Sequence, residues 1–314
     1  MNHAAVWKAF EKSSEWLQNW PAEPAGGLLG EVWETIWGRR GKRLRPRLVY
    51  WFGEWCGLAP SELAPYAQAA ETLHTASLLH DDVVDRAVSR RGGESANRLY
   101  GDGLPILSGD YFFSHAIEIV AELGDPVALR LLCRTVKELS MGECLQYEQR
   151  YRIPENEAYF EELIRCKTTS LLAWCALVGP NRRPVLRPER VLEFMRLFGL
   201  VFQLSDDLLD LTGTAGKGRW TDLKEGKINY ATWLILQEEP SLRQAVAQEL
   251  AARTFSSKLE LRFNRAVEGG GFARVKASLL CLVEDAKMVG RSFSSREAQE
   301  VLSGLVELCL DRTA

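Results

Sequence analysis

Two short stretches of this 314-residue chain repeat one pattern of acids, Asp81-Asp82-Val83-Val84-Asp85 and Asp206-Asp207-Leu208-Leu209-Asp210. Both read D-D-x-x-D, and both lie near the ends of predicted helices. Residues i and i+4 of a helix share a face, so Asp81 lies over Asp85 and Asp206 over Asp210. Like charges so placed destabilise an isolated helix by roughly 0.2–0.5 kcal/mol, and a helix C-terminus is the unfavourable end for anions. A hard cation removes the repulsion; Mg2+ takes one or two carboxylates together with phosphate oxygens of a substrate. A single such cluster reads more simply as a solvated acidic helix end. Two copies, each flanked by apolar residues, point to a site. The same spacing puts His74 on the Asp81/Asp85 face and Gln203 on the Asp206/Asp210 face, each either a site group or a satisfied polar residue of the core.

Basic residues supply the other half of a phosphate site. Lys42 and Arg45, in Gly41-Lys42-Arg43-Leu44-Arg45-Pro46, stand at i and i+3 on one face of a starting helix. Arg90-Arg91-Gly92-Gly93 follows the first acidic cluster after a short gap, and Lys167-Thr168-Thr169 interrupts an apolar helix. Gly216-Lys217 and Gly226-Lys227 bracket a Gly-rich loop just beyond the second cluster. Arg offers a bidentate fork to phosphate and Lys a point charge. No G-x-x-x-x-G-K-[ST] loop occurs, and no Lys-rich tract interleaved with aromatics suggests nucleic acid. Six carboxylates and several cations therefore imply a pocket for diphosphate held through Mg2+, with apolar helices as walls.

The elements that position these groups are helices. All but one of the 12 prolines precede position 189, and most fall between periodic stretches, as punctuation between long helices does. Pro60-Ser61-Glu62-Leu63 and Pro188-Glu189-Arg190-Val191 read as helix starts with an acid in the first turn. Apolar spacing is near 3.6, period-2 alternation is nearly absent, and no repeat or long linker separates two cores. The expectation is a single all-α domain over residues 1–314 with about a dozen helices. Thirty-nine Lys and Arg against 42 Asp and Glu leave a net charge of −3, which excludes a basic nucleic-acid coat or an acidic disordered tail. Seven scattered cysteines without a Cys-x-x-Cys pair read as reduced, mostly buried thiols of a cytoplasmic protein. The longest apolar run, Leu171–Val178, is far short of the roughly 20 residues that span a bilayer, and no signal-peptide apolar region is visible.

The motifs resemble those of the trans-polyprenyl diphosphate synthases, of the all-α isoprenoid synthase type, and among them most the bacterial long-chain, octaprenyl-type enzymes. The resemblance rests on GKRLRP (41–46), HTASLLHDDVVD (74–85), RRGG (90–93), SGDYFF (108–113), GECLQ (142–146), KTTSLL (167–172), FQLSDDLLD (202–210) and GKGRWTDLKEGK (216–227), in the family's order and spacing. It implies a helical bundle around a deep central cavity. It makes Asp81, Asp85 and Asp206 the Mg2+ ligands, with Asp82, Asp207 and Asp210 in support and Asp210 counted also among the ligands. Three ions with bound diphosphate are implied. Lys42, Arg45, His74 and Arg91 correspond to an isopentenyl diphosphate site; Arg90, Lys167, Lys217 and Lys227 correspond to the grip on an allylic prenyl diphosphate. Thr168 and Gln203 would line the reacting end.

The chemistry so implied is ionisation of the allylic diphosphate, attack by the isopentenyl double bond and loss of a proton to the departing diphosphate, shielded from water by apolar walls. The family's chain-length positions are here Ala76 and Ser77, both small, with Leu73 a turn deeper. A turn rises about 5.4 Å, comparable to one isoprene unit. The expected product therefore has twenty carbons or more. A homodimer is implied, without nucleic acid or an integral membrane segment; transient membrane contact would serve release of a long product. Two departures stand out: Ile228-Asn229-Tyr230-Ala231 follows Lys227 where the family usually has a Thr and often a Pro, and Gly93-Glu94-Ser95 replaces a more usual Pro-Thr. The alternatives are a terpene cyclase of the same fold, which usually keeps one Asp-rich motif, and a regulatory partner subunit of a heteromeric prenyl synthase, which tends to lose both.

Overall fold

The computed structural model describes residues 3–18, 26–37, 41–90, 92–213 and 218–311. In chain order its helices are α1 (Ala4–Gln18), α2 (Gly27–Trp37), α3 (Leu44–Trp55), α4 (Pro60–Val84), α5 (Ala96–Tyr100), α6 (Gly103–Glu122), α7 (Pro126–Glu148) and α8 (Ala158–Ile164). They continue with α9 (Ser170–Arg182), α10 (Pro188–Thr212), α11 (Thr221–Lys224), α12 (Tyr230–Glu238), α13 (Pro240–Ala251), α14 (Ser257–Ala266), α15 (Phe272–Arg291) and α16 (Arg296–Asp311). The all-α expectation holds. The expected dozen helices become sixteen among the described residues, because π-helical turns at Arg165–Thr169 and Val267–Gly271 and the short α5, α8 and α11 break longer periodic stretches.

The chain divides into two compact units, one of residues 7–137 and 171–192, the other of residues 1–6, 138–170 and 193–314. In the first, α4 packs along α3 and α6. Pro60 opens α4, where its missing N–H is no loss, and Glu62 Oε2 accepts the Ala59 N–H at 2.8 Å. Leu63, Tyr66, Ala67, Ala70, Leu73, Ala76 and Leu79 are all fully buried, and with the buried Glu71, Thr72 and Thr75 they leave this helix covered over most of its circumference. Its C-terminal half joins a cluster in which Ala76 and Leu79 meet Val32, Trp33 and Ile36 of α2 and Phe112 of α6. Trp33 meets Phe112 edge-on at 5.0 Å.

In the second unit the part of α10 from Glu193 onward buries Phe194, Met195, Phe198, Val201, Leu204, Leu208 and Leu211. Ser205, fully buried among them, donates its hydroxyl to the Cys309 carbonyl of α16 at 2.8 Å. Trp220 is also fully buried, 4.8 Å from the Phe263 ring, with its indole N–H on Asn264 Oδ1 at 3.1 Å. Burying a large apolar side chain is worth roughly 1.5–3 kcal/mol, so these rows hold the end of α10, and the acids on it, in place.

One element is absent from the sequence reading. Ser89–Arg90 (β1) and Gly93–Glu94 (β2) form a short antiparallel hairpin, with Ser89 opposite Glu94 and Arg90 opposite Gly93. Two-residue strands are too short to show alternation. Ser95 closes the hairpin, its hydroxyl donating to the Ala87 carbonyl at 2.5 Å and its N–H to Val88 at 3.3 Å. Those contacts give Ser95 a structural role at the base of the hairpin.

Candidate active site

The first acidic motif occupies the last turn of α4, with Asp85 capping its C-terminus. Its three carboxylates fall into two environments. Asp81 and Asp85 are half-buried, whereas Asp82 is 1% exposed. A buried carboxylate needs compensation, and Asp82 finds it in Arg90 of β1, which donates Nε at 2.7 Å and Nη2 at 2.5 Å to Asp82 Oδ1. The hairpin is thereby fixed to the end of α4.

The second motif, at the end of α10, also divides, but with two of its three acids buried. Asp206 is half-buried, while Asp207 and Asp210 are 2% and 3% exposed. Asp207 Oδ1 accepts from Gln203 Nε2 at 3.0 Å, and its Oδ2 accepts the N–H groups of Tyr230 at 2.9 Å and Ala231 at 3.3 Å. Asp207 therefore sits on the N-terminus of α12, where backbone N–H groups favour an anion. Burial pushes its carboxyl up to about 8, Asp222 and Asp206 add to the rise, and the Gln203 and Ala231 bonds oppose it. Asp210 Oδ1 accepts the Thr221 N–H at 2.9 Å, and the Asp210 carbonyl accepts from Trp220 N–H at 3.1 Å. Asp210, which the resemblance counts also among the ligands, through these two bonds anchors the chain that returns from the loop after α10.

The polar groups around the acids are linked to each other. Thr168 donates its hydroxyl to Gln203 Oε1 at 2.9 Å, so Thr168, Gln203 and Asp207 form one chain of hydrogen bonds. Lys167 lies in the π-helical turn, a geometry common at functional sites. Its Nζ reaches Gln146 Oε1 at 2.7 Å and Glu143 Oε1 at 2.5 Å, both on α7. A side chain at Gly142 would collide with Lys167, which accounts for the glycine of the GECLQ stretch. Lys227, 11% exposed, pairs with Glu225 at 3.0 Å.

Arg45 Nη1 and His74 Nε2 lie 3.0 Å apart. Arginine has no acceptor, so it donates, and His74 carries its own proton on Nδ1. Lys42 departs from the expected position. Arg43 is in the left-handed region, with φ of 47°, and α3 starts at Leu44, so Lys42 lies ahead of the helix and shares no helical face with Arg45. Its carbonyl accepts from Arg47 Nε at 2.8 Å. Arg47 also reaches Ser13 Oγ at 2.6 Å and Ser14 Oγ at 3.0 Å of α1, and burial lowers its guanidinium to about 10, with Arg43 adding to the effect. Sequence reasoning missed Arg47, because nothing in its spacing distinguishes it from Arg43 or Arg45. It likewise missed Asn229, whose Oδ1 accepts Thr232 N–H at 2.9 Å as the cap of α12 and whose Nδ2 donates to Asp222 at 2.8 Å. Asn is among the preferred N-cap residues, a signal that was available. Arg91 and Lys217 lie outside the described residues.

Of the chain-length positions, Leu73 and Ala76 are fully buried, while Ser77 is half-buried and donates its hydroxyl to the His74 carbonyl at 2.9 Å.

Among the described residues no three His, Cys, Asp or Glu side chains converge into a ready-made metal cage. The donors on offer, half-buried carboxylates one helical turn apart, suit a hard cation that completes its shell with water and substrate phosphate. Among the described residues no helix is long and apolar enough to cross a membrane.

The sequence pattern of the family described as polyprenyl synthetase matches residues 27–263. Heptaprenyl diphosphate synthase component 2 of Geobacillus stearothermophilus is 33% identical over 218 residues, covering 68% of either chain. Solanesyl-diphosphate synthase 2 of the rice chloroplast (Oryza sativa subsp. japonica) is 32% identical over 260 residues, 79% of this chain; the match spans 64% of the rice protein's length. A polyprenyl synthase from Caulobacter crescentus CB15, crystallised with calcium and isoprenyl diphosphate, shares the fold with a TM-score of 0.87 at 26% identity, over 98% of this chain and 96% of that one. With that pattern running through both acidic motifs and the helical fold shared almost end to end, the chain belongs to the polyprenyl synthetase family.

Proposed function

We propose that this protein is a Mg2+-dependent trans-prenyltransferase that extends an allylic prenyl diphosphate with isopentenyl diphosphate, through a single polyprenyl synthetase domain over residues 1–314. The observation that carries the reading is the division of labour inside each acidic motif. Asp82, Asp207 and Asp210 are buried and serve Arg90, α12 and the returning loop. Asp81 and Asp85 in the first motif and Asp206 in the second are half-buried, and these, with Asp210 also counted, are the carboxylates we assign to cations. Mg2+ held by these carboxylates, three ions in this reading, would supply charge neutralisation for a departing diphosphate. Lys167, Lys227, Lys217 and Arg90 hold that diphosphate, and Lys42, Arg45, His74 and Arg91 hold isopentenyl diphosphate. Thr168 and Gln203 border the reacting carbons. Apolar helix faces keep water from the allylic cation, and the proton lost after attack goes to the diphosphate.

The small side chains of Ala76 and Ser77, with Leu73 below them, lead to a product of twenty carbons or longer. The working form is a homodimer in the cytoplasm, with membrane contact only at product release. A second reading draws on the Geobacillus relative, whose name makes it one component of its synthase: this chain would need a partner subunit for turnover. The deciding experiment is incubation of the purified protein with Mg2+, isopentenyl diphosphate and each allylic primer, with chain lengths read by mass spectrometry. A ladder passing twenty carbons supports the main reading. A stop at fifteen carbons removes the chain-length argument and keeps the enzyme class. No condensation, with both motifs intact, favours the partner-subunit reading.

A further inference from the structure

The turn that carries Lys227 is built on the residues that end α7. Glu148 closes that helix, and Tyr151, three residues on, adopts left-handed backbone with φ of 64°. A tyrosine there is strained by roughly 1 kcal/mol or more, so the surroundings must hold it. They do so through the carbonyls of the two residues that precede Lys227. Tyr151 N–H donates to the Gly226 carbonyl at 2.7 Å, and Arg150 Nε donates to the Glu225 carbonyl at 2.8 Å. The Tyr151 ring lies where a side chain at 226 would go: a Cβ there would collide with its Cδ1 and Cε1, and Gly226 is itself left-handed with φ of 79°. The ring is held by two guanidinium groups, Arg253 at 5.0 Å and Arg150 at 5.6 Å from its centroid. On the far side of the turn, Lys227 N–H donates to the Asp222 carbonyl at 2.8 Å and Gly226 N–H to Leu223 at 3.0 Å. Lys227 is thus the first residue after a segment gripped from both sides.

We infer that Arg150 and Tyr151 are positioning residues for the allylic diphosphate, acting by setting the Glu225–Gly226–Lys227 turn from which Lys227 reaches its ligand. The inference rests on the role given to Lys227 above. Neither residue belongs to the acidic motifs or the basic groups read from the sequence, and both act through backbone carbonyls, so the grip depends on the shape of the turn and on no charge partner of Lys227.

The test compares Tyr151→Ala, Tyr151→Phe, Arg150→Met and Lys227→Ala by steady-state kinetics for each substrate, by thermal unfolding, and by equilibrium binding of farnesyl thiolodiphosphate, an unreactive allylic analogue. Tyr151→Ala is expected to raise the allylic KM and the analogue Kd about tenfold, below the roughly 100-fold that a misplacement of about 1 Å can cause, with the isopentenyl KM within twofold of wild type. Tyr151→Phe keeps the ring and the wild-type constants. In the Lys227→Ala background Tyr151→Ala adds nothing further. Where Tyr151→Ala does not fold, Arg150→Met carries the same expectation. If Lys227→Ala weakens the analogue and both Tyr151→Ala and Arg150→Met leave it unchanged, or shift both KM values alike, the inference is overturned. If Lys227→Ala itself leaves analogue binding unchanged, the role of Lys227 fails, and the inference with it.

Discussion

Arg90 places both Nε and Nη2 on one oxygen of Asp82, at 2.7 and 2.5 Å, and so ties the β1–β2 hairpin to the last turn of α4. The two partners are unequal: Asp82 is 1% exposed and the Arg90 side chain 30%. Removing either breaks the same contact but leaves a different group behind.

The inequality predicts an asymmetric mutational response. Arg90→Ala takes two charged donors from a buried carboxylate and should destabilise the protein by about 2–3 kcal/mol, while Asp82→Ala leaves a partly exposed arginine that can turn toward water and should cost about 1–2 kcal/mol. Urea unfolding followed by circular dichroism measures both. Equal losses, or none, would mean that the pair does not hold the hairpin.

Within the second motif, neighbouring aspartates should behave oppositely. Asp206→Ala is expected to abolish Mg2+-dependent turnover and to change stability by less than about 0.5 kcal/mol, as a partly exposed substitution does. Asp207→Ala removes the acceptor of Gln203, Tyr230 and Ala231 and should lower stability by about 2 kcal/mol. Thermal unfolding beside a condensation assay separates the two; a stability loss in Asp206→Ala as large as in Asp207→Ala would contradict the assignment.

Asn229, two residues after Lys227, does two jobs, capping α12 and bonding Asp222. Asn229→Ser keeps the cap and should lose about 1 kcal/mol with the Asp222 bond, whereas Asn229→Ala loses both and should cost about 2 kcal/mol. Identical melting temperatures for the two variants would leave the cap without measurable weight.

Chain length offers a prediction about Ser77. Its half-buried side chain makes room for a larger group more readily than Ala76, which is locked among Val32, Trp33 and Phe112. Ser77→Phe should shift the product ladder to shorter chains with stability within about 1 kcal/mol of wild type, because a partly exposed position escapes the roughly 1–3 kcal/mol cost of overpacking. An unchanged ladder would remove Ser77 from the floor.

The sequence alone determined the fold class, since 3.6-residue periodicity between prolines is a local property and each helix is dictated by its own segment. It also determined that two acidic motifs stand near helix ends, with His74 and Gln203 on their faces, because helical geometry converts spacing into direction. Tertiary structure decided which acid of each motif is turned inward. Asp82 and Asp81 are neighbours of one type, and only the hairpin bearing Arg90 makes one a buried anchor and leaves the other half-exposed. Asp207 likewise meets α12 across 23 residues of sequence, and Tyr151 meets Gly226 across 75. Lys42 missed its expected helical face for a local reason that spacing does not reveal, the left-handed backbone of Arg43. Periodicity reports which face a residue takes on its own helix; what that face meets is set by segments far along the chain, whose approach depends on packing volumes and buried hydrogen bonds that a linear pattern does not record.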